Sequence, residues 1–389
     1  MMGSLGILIG AIALLLVLGW IAIEVQYRRR PGNRLQLRAG TWNLDVYESQ
    51  HYRIVGDMEF VNQTQRLELM VPEVSATAML LSKDSLDTVQ HTLRITPCHP
   101  DADARDDGYW FGYIVKIGKT TRMEVVLDVV GDQLEALQAA WIKVRYVTYG
   151  PQGRVPKTRH VIVPLRFPSP DAPIQWRAGD RADILPVKTH LLTHLDDPVE
   201  VVKRYVMPHA QPGDIVTIGE TPIAIMQDRF RHPTTVQPGW VARRLCYYFM
   251  PTSSLATACG MQTLVDISGP WRVVFAFLVG AIAKKFFKRP GMFYQLAGEQ
   301  ARLIDDVTGT LPPYDQFIVL GPEDPQRVVN QIKAETGLAA AIVDVNDLRA
   351  VKVLAASSGI APGLLEQALI TNPAGNADEQ TPVVLIRPK

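Results

Sequence analysis

Gln211-Pro212-Gly213-Asp214-Ile215-Val216-Thr217-Ile218-Gly219-Glu220-Thr221 decides how the second half of the chain is read. Pro212-Gly213-Asp214 is turn chemistry, and Ile215 to Ile218 is a short apolar run of the buried-strand type. Ile223-Ala224-Ile225-Met226 follows at once, and then the basic Arg229 and Arg231. Upstream, Leu185 to Leu191 reads as a strand. Asp197-Pro198-Val199-Glu200 is a helix start in which Asp197 caps, Pro198 takes the first helical position and Glu200 closes a capping box. Downstream, Asp324-Pro325-Gln326 opens a helix through Ile332 that ends at Thr336-Gly337-Leu338. Ala340 to Val343 is again strand-like and runs into Asp344-Val345-Asn346-Asp347. Strands alternating with helices predict an α/β domain over residues 183–389.

The preceding region has a different rhythm. Between 34 and 168 the apolar pattern has period two: Trp42 to Tyr47, Tyr52 to Phe60, Leu67 to Val71, Thr77 to Leu81, Thr92 to Ile95, Tyr109 to Ile117, Met123 to Val130, Ala140 to Tyr149 and Val161 to Phe167. Turn residues separate the runs, and many short strands at regular spacing predict an antiparallel β-sandwich. Asp101, Asp103, Asp106 and Asp107 form an acidic loop that lacks a glycine-turned calcium ligand pattern, so a solvated loop is the reading preferred. The proline-rich Phe167 to Pro173 predicts an extended linker, placed over 169–182.

At the start of the chain no charged side chain occurs from Met1 to Ile23, and Leu5 to Ile23 is almost wholly apolar. That run is close to the ~20 residues a helix needs to cross a hydrocarbon core. Arg28, Arg29, Arg30 and Arg34 follow it and nothing basic precedes it. A cleaved signal peptide has the opposite charge order and a small-residue cleavage site. The expectation is an uncleaved transmembrane anchor over 1–27, with the N-terminus outside and the remainder on the cytoplasmic side.

The 389 residues carry a net charge of +1 and three cysteines, Cys98, Cys246 and Cys259. Near-neutral charge and the lack of a zinc-finger spacing or basic tail argue against nucleic-acid binding. Three distant cysteines without a Cys-x-x-Cys argue against a disulfide framework or structural zinc.

The order strand, Asp-led helix, Pro-Gly-Asp-Ile-Val-x-Ile, Glu-Thr-x-x-x-Ile and Asp-Arg resembles the start of the gamma-glutamyl ligases of deazaflavin coenzyme (factor 420) biosynthesis. Leu311-Pro312-Pro313 and the helix, strand and Asp344-Val345-Asn346-Asp347 resemble later elements of that family. The resemblance covers the last half of the chain in patches. It implies GTP-dependent activation of a carboxyl group, amide formation with glutamate, Mg²⁺ or Mn²⁺ on the nucleotide phosphates, and a homodimer. By the resemblance Asp344 and Asn346 match the metal-binding Asp and Asn, and Glu220 joins the cofactor-binding residues. Several positions depart from the pattern: Val345 stands for the family's Thr, Asp347 for its Gly, and Ala297-Gly298-Glu299-Gln300 for its Ala-Gly-x-Asp. The chain also ends about forty residues after the metal motif.

Read as residues alone, Asp305, Asp306 and Asp344 with Asn346 are hard oxygen ligands of the type Mg²⁺ takes, and ligands collect at the carboxyl ends of strands in α/β sheets. Structural capping by these acids is the other reading. Arg243-Arg244 can hold phosphates bidentately, and a solvated basic face accounts for them equally well. His190 and His194 are four apart but lie between a strand and a capped helix, which argues against a helical metal pair. No phosphate-loop or nucleophile-elbow motif occurs.

An insertion over 232–297 holds a second apolar run, Val273 to Ala283, followed by Lys284-Lys285-Phe286-Phe287-Lys288-Arg289. It fits an interfacial helix at an anionic membrane and, equally, a buried helix with a solvated end. Two functions remain open at this point. One is a metal- and GTP-dependent amide ligase at a membrane. The other is a catalytically silent ligase-like scaffold that binds a membrane partner.

Overall fold

A computed structural model describes residues 2–28, 32–169, 173–289, 291–306, 311–345, 350–375 and 379–389. Helix α1 (Met2–Arg28) comes first. Its stretch Ile9–Tyr27 has a mean hydropathy of 2.1, and none of it is buried. It is long and apolar enough to cross a membrane, a length and composition that a signal sequence shares. Arg29 and Arg30 lie outside the described residues.

Eight strands follow: β1 (Leu35–Glu48), β2 (His51–Asn62), β3 (Leu69–Ser82), β4 (Gln90–Cys98), β5 (Tyr113–Val115), β6 (Thr120–Val130), β7 (Leu137–Gly150) and β8 (Gly153–Pro164). They form two antiparallel four-stranded sheets, ordered β1-β2-β6-β4 and β5-β3-β7-β8. Alternate side chains such as Ile54, Met58, Phe60 and Leu127 meet Ile142 and Val144 from the facing sheet. One pair of sequence segments fuses into a longer strand. Leu67 to Val71 and Thr77 to Leu81 become β3, because Pro72 falls at the register shift between Met70 and Glu73, where its missing N–H breaks no ladder bond. Pro156 is tolerated in β8 because that strand lies at the sheet's edge.

The second half is built on a mixed five-stranded sheet, ordered β15-β14-β10-β16-β9. Its strands are β9 (Ala182–Val187), β10 (Ile215–Gly219), β14 (Ala339–Val345), β15 (Val351–Ala356) and β16 (Val383–Pro388). β10 and β14 run parallel and the other neighbours antiparallel. Helices α2 (Pro198–Tyr205), α3 (Glu220–Met226) and α9 (Pro325–Thr336) supply Val202, Ile223 and Val329 to one core face, and α10 (Leu364–Leu369) covers the other. The Asp197 carboxylate accepts from Val199 N and Glu200 N at the start of α2, whereas Glu200 turns to Lys203 Nζ at 2.9 Å. Asp324 accepts from Arg327 N, and Gly337, at φ 78°, closes α9 in the left-handed conformation that glycine adopts freely.

The long crossover from β10 to β14 carries a three-stranded sheet, β11 (Phe230–Arg231), β13 (Ile318–Val319) and β12 (Asp305–Asp306) in that order. Between α3 and α9 it also carries, among the described residues, α4 (Trp240–Leu245), α5 (Ala258–Ser268), α6 (Pro270–Phe287), α7 (Met292–Ala297) and α8 (Gln300–Leu303). Leu264, Val273, Ala276 and Phe293 give this insertion a core of its own.

A dry seam joins the two halves. Ala139 and Trp141 of β7 and Ile162 of β8 pack with Ala224 and Ile225 of α3, Tyr314, Phe317 and Val319. Trp141 Nε1 donates to His160 Nδ1 at 3.0 Å, the His160 and His232 rings stack at 4.9 Å, and Phe317 meets both edge-on. Arg159 pairs with Asp228 at 2.7 Å beside it. Within the stretch read as linker, Arg387 lies 4.3 Å over the Trp176 ring and Arg177 bridges to Ile184. Pro170, Asp171 and Ala172 lie outside the described residues.

Candidate functional site

The parallel pair β10 and β14 ends with Gly219 opposite Val343. Past that point the two chains diverge, and side chains of β10's following helix and of β14's last residues face a common space. This places Glu220, the first residue of α3, near Asp344. β12 adds Asp305 from the side. The cleft they share has a volume of about 340 Å³. Its remaining wall includes Thr189 and His190 after β9, and the turns 372–375 and 380–382 before β16.

The electrostatics of the cleft follow from burial. Removing a carboxylate from water disfavours its charged form, and neighbouring carboxylates disfavour it further. Glu220 is pushed up to about 8, first by burial and then by Asp344 and Asp305, with only Lys352 opposing. Lys352 sits directly across the ladder from Asp344. Asp305 is raised to about 6, by burial and then by Asp344. Glu220 Oε2 is buried with no hydrogen-bond partner among the described residues. An orphaned carboxylate oxygen facing two further acids suits a hard cation, which would offset all three repulsions at once. The donor set therefore fits a divalent metal in its chemistry. Among the described residues, however, no three His, Cys, Asp or Glu side chains form a group that could hold a metal ion.

Asp306 does not join Asp305, a correction to the expected acid pair. Adjacent strand residues point to opposite faces. The Asp306 side chain turns into the insertion, where it bonds the Thr257 hydroxyl, and Thr257 caps α5 by accepting from Gly260 N at 2.9 Å. Arg243 and Arg244 line a separate shallow hollow with Trp240 and Tyr247, away from the acidic cleft. Asn346 and Asp347 lie outside the described residues.

His190 and His194 do not converge on a common metal site. His190 Nδ1 lies 2.7 Å from the Tyr205 hydroxyl, and its Nε2 lies 2.9 Å from Asp196. This fixes a buried imidazole at the cleft wall. Both His194 nitrogens are buried without a partner among the described residues, and burial holds its pKa down at about 3. The turns 372–375 and 380–382 carried no sequence signal beyond their Pro and Gly content.

A family model described as "F420-0:gamma-glutamyl ligase, N-terminal Ig-like domain" matches residues 36–167. The match covers the sandwich and ends before the cleft-bearing half. No curated protein matches the chain. Among solved structures, a FixG-related protein from Vibrio parahaemolyticus is 8% identical, covering 34% of this chain and 97% of its own at a TM-score of 0.18. The GAE domain of GGA2p from Saccharomyces cerevisiae is 9% identical over 33% of this chain and 97% of its own, with a TM-score of 0.20. A protein from Archaeoglobus fulgidus is 11% identical over 33% and 97%, with a TM-score of 0.19. Likeness at this level carries no argument here.

Proposed function

We propose that the cleft is a divalent-cation and nucleotide site, and that the chain is a membrane-anchored, amide-forming ligase of the gamma-glutamyl type. One observation carries this reading: the buried Glu220, whose Oε2 has no hydrogen-bond partner among the described residues, lies near enough to Asp305 and Asp344, at the carboxyl end of a parallel strand pair, for both to raise it. The match of the sandwich to the N-terminal Ig-like domain of such ligases supports it from the other half of the chain. Glu220, Asp305 and Asp344, which form no preassembled three-ligand group, would have to close on the cation, whose chemistry is to neutralise charge on transferring phosphates. The chain's own part is proton storage and orientation. Glu220 holds a proton at neutral pH and releases it when a cation takes its place. Asp344, fixed by the ladder at the end of β14, is oriented without reorganisation. In this reading α1 stays attached as the anchor, and intact-mass measurement of the mature chain tests that by the presence of its N-terminal segment.

Loss of the free Mn²⁺ spin-resonance signal on titration into the detergent-solubilised full chain tests the site. Binding should strengthen from pH 6 to pH 8, by up to roughly tenfold per unit, as the competing Glu220 proton leaves. E220Q should abolish the part of that slope above pH 7, leaving the part near pH 6 that Asp305 carries. In the same preparation, GTP with Mg²⁺ at 100 times its dissociation constant should add about 2.7 kcal/mol of stability. A chain that takes neither Mn²⁺ nor any nucleotide is a silent scaffold, the second reading. The absence of a preassembled three-ligand group among the described residues favours that reading.

A further inference from the structure

Helix α6 is apolar all round, yet the protein covers only one of its faces. Val273 and Ala276 are buried in the insertion core, Ala283 is buried further along the helix, and Gly280 lets the helix close on Phe293, where a Cβ would stand 3.0 Å from that residue's backbone. On the opposite side Trp271, Phe275, Leu278, Ile282 and Phe286 follow one another at spacings of four, three, four and four, a single stripe along the helix. Every one is exposed, Trp271 by 85% and Phe286 by 71%. Soluble proteins rarely leave a contiguous stripe of this kind to water, and a helix apolar on every side belongs in a core or in lipid.

The surroundings say what covers it. From residue 267 to 298 there is no acid, while Arg272, Lys284, Lys285, Lys288 and Arg289 are basic. The four at the helix's end are all exposed. Beside the stripe, Tyr248 lies 5.2 Å ring to ring from Phe277 of α6. The segment it closes adds exposed Trp240, Tyr247 and Met250, and Arg243 and Arg244 frame a hollow with two of them. Aromatics with polar tips, interleaved with cations, are the chemistry of the headgroup level of a bilayer. Gly269, at φ 82°, and Pro270 at the first helical position bend α6 by 111° from the buried α5. That bend turns α6 out of the core as a separate surface helix.

We propose that α6 lies in the interface of an anionic bilayer, stripe inward and lysines at the headgroups, as a second membrane contact independent of α1. The occupant is a lipid surface because aromatics, aliphatics and an acid-free basic end occur together, which suits acyl chains below anionic headgroups.

The test places nitroxide labels at F275C and I282C, one at a time, in a C98S, C259S background. The full chain is reconstituted in phosphatidylcholine vesicles with and without 30% phosphatidylserine. A control label replaces Glu59 on the sandwich. Expected is high collision with oxygen and low collision with a water-soluble nickel complex at 275 and 282, the reverse at 59, and deeper labels with phosphatidylserine. Changing Lys284, Lys285, Lys288 and Arg289 to Gln should remove the phosphatidylserine effect. An aqueous profile at both positions overturns the proposal. So does low collision with both reagents, which means that a second copy or α1 covers the stripe.

Discussion

The acidic cleft and the histidine seam are both buried collections of ionisable groups, and they respond to protons in opposite senses. In the cleft, burial raises acids: Glu220 to about 8 and Asp305 to about 6. In the seam and its neighbourhood, burial lowers bases: His160 and His194 to about 3, with His232 below its usual value. The same desolvation acts on both, and only the charge type differs. The native cleft binds protons that the unfolded chain gives up above about pH 4.5, so its contribution to stability falls as pH rises toward 8. The native seam refuses protons that the unfolded chain takes up below about pH 6.5, so its contribution falls as pH drops. Both hold buried polar atoms without a hydrogen-bond partner among the described residues, Glu220 Oε2 in the cleft and His160 Nε2, the Tyr314 hydroxyl and both His194 nitrogens in and beside the seam. What sets the cleft apart is that its acids line one cavity.

Packing gives the strongest handle. Phe317 is 1% exposed at the centre of the seam, so F317A should cost about 3–5 kcal/mol by urea unfolding. If the seam couples the halves, sandwich and α/β signals will shift together, and separate transitions would reduce it to a loose contact. Next comes charge in the cleft. E220Q should stabilise the chain at pH 8 by on the order of 2 kcal/mol and change nothing at pH 4, because the wild-type carboxyl is then neutral in both states. A uniform gain at every pH would mean that Glu220 does not carry the slope.

His194 sharpens the other side. H194L removes two unpartnered buried nitrogens, so it should raise stability by about 1 kcal/mol at pH 7 and by more at pH 5. Equal gains at the two pH values would show that the imidazole is charged in the native state and that the contrast with the cleft fails. The smallest effect belongs to D344N. Asp344 ranks behind burial as a cause of the Glu220 shift, so its loss should lower the Glu220 midpoint only part of the way toward 4.5, followed by infrared titration of the carboxyl stretch. A full return would make charge, not burial, the dominant cause.

Much of the architecture was open to reading because it is local. Period-two runs gave the sandwich strands, and Asp197-Pro198 and Asp324-Pro325 with Gly337 marked helix ends that the structure reproduces. The site was legible only in part. Asp344 could be placed from its position after an apolar strand. Asp305 and Asp306 read as a pair in the sequence, and strand alternation puts the two neighbours on opposite faces once β12 is recognised. A two-residue strand leaves no periodicity to recognise. The seam was unreadable, since Trp141, His160, His232 and Phe317 come from separate elements and meet only through packing.

The sequence by itself determined the unbroken apolar start, the change from period two to alternating strands and helices, and the acid-free basic end of α6, since each is a property of neighbours along the chain. Only the tertiary structure decided which acid faces the cleft, which histidines lie in the dry seam and which side of α6 is left uncovered. Those depend on where solvent is excluded, and exclusion is set by segments far apart in sequence closing on one another.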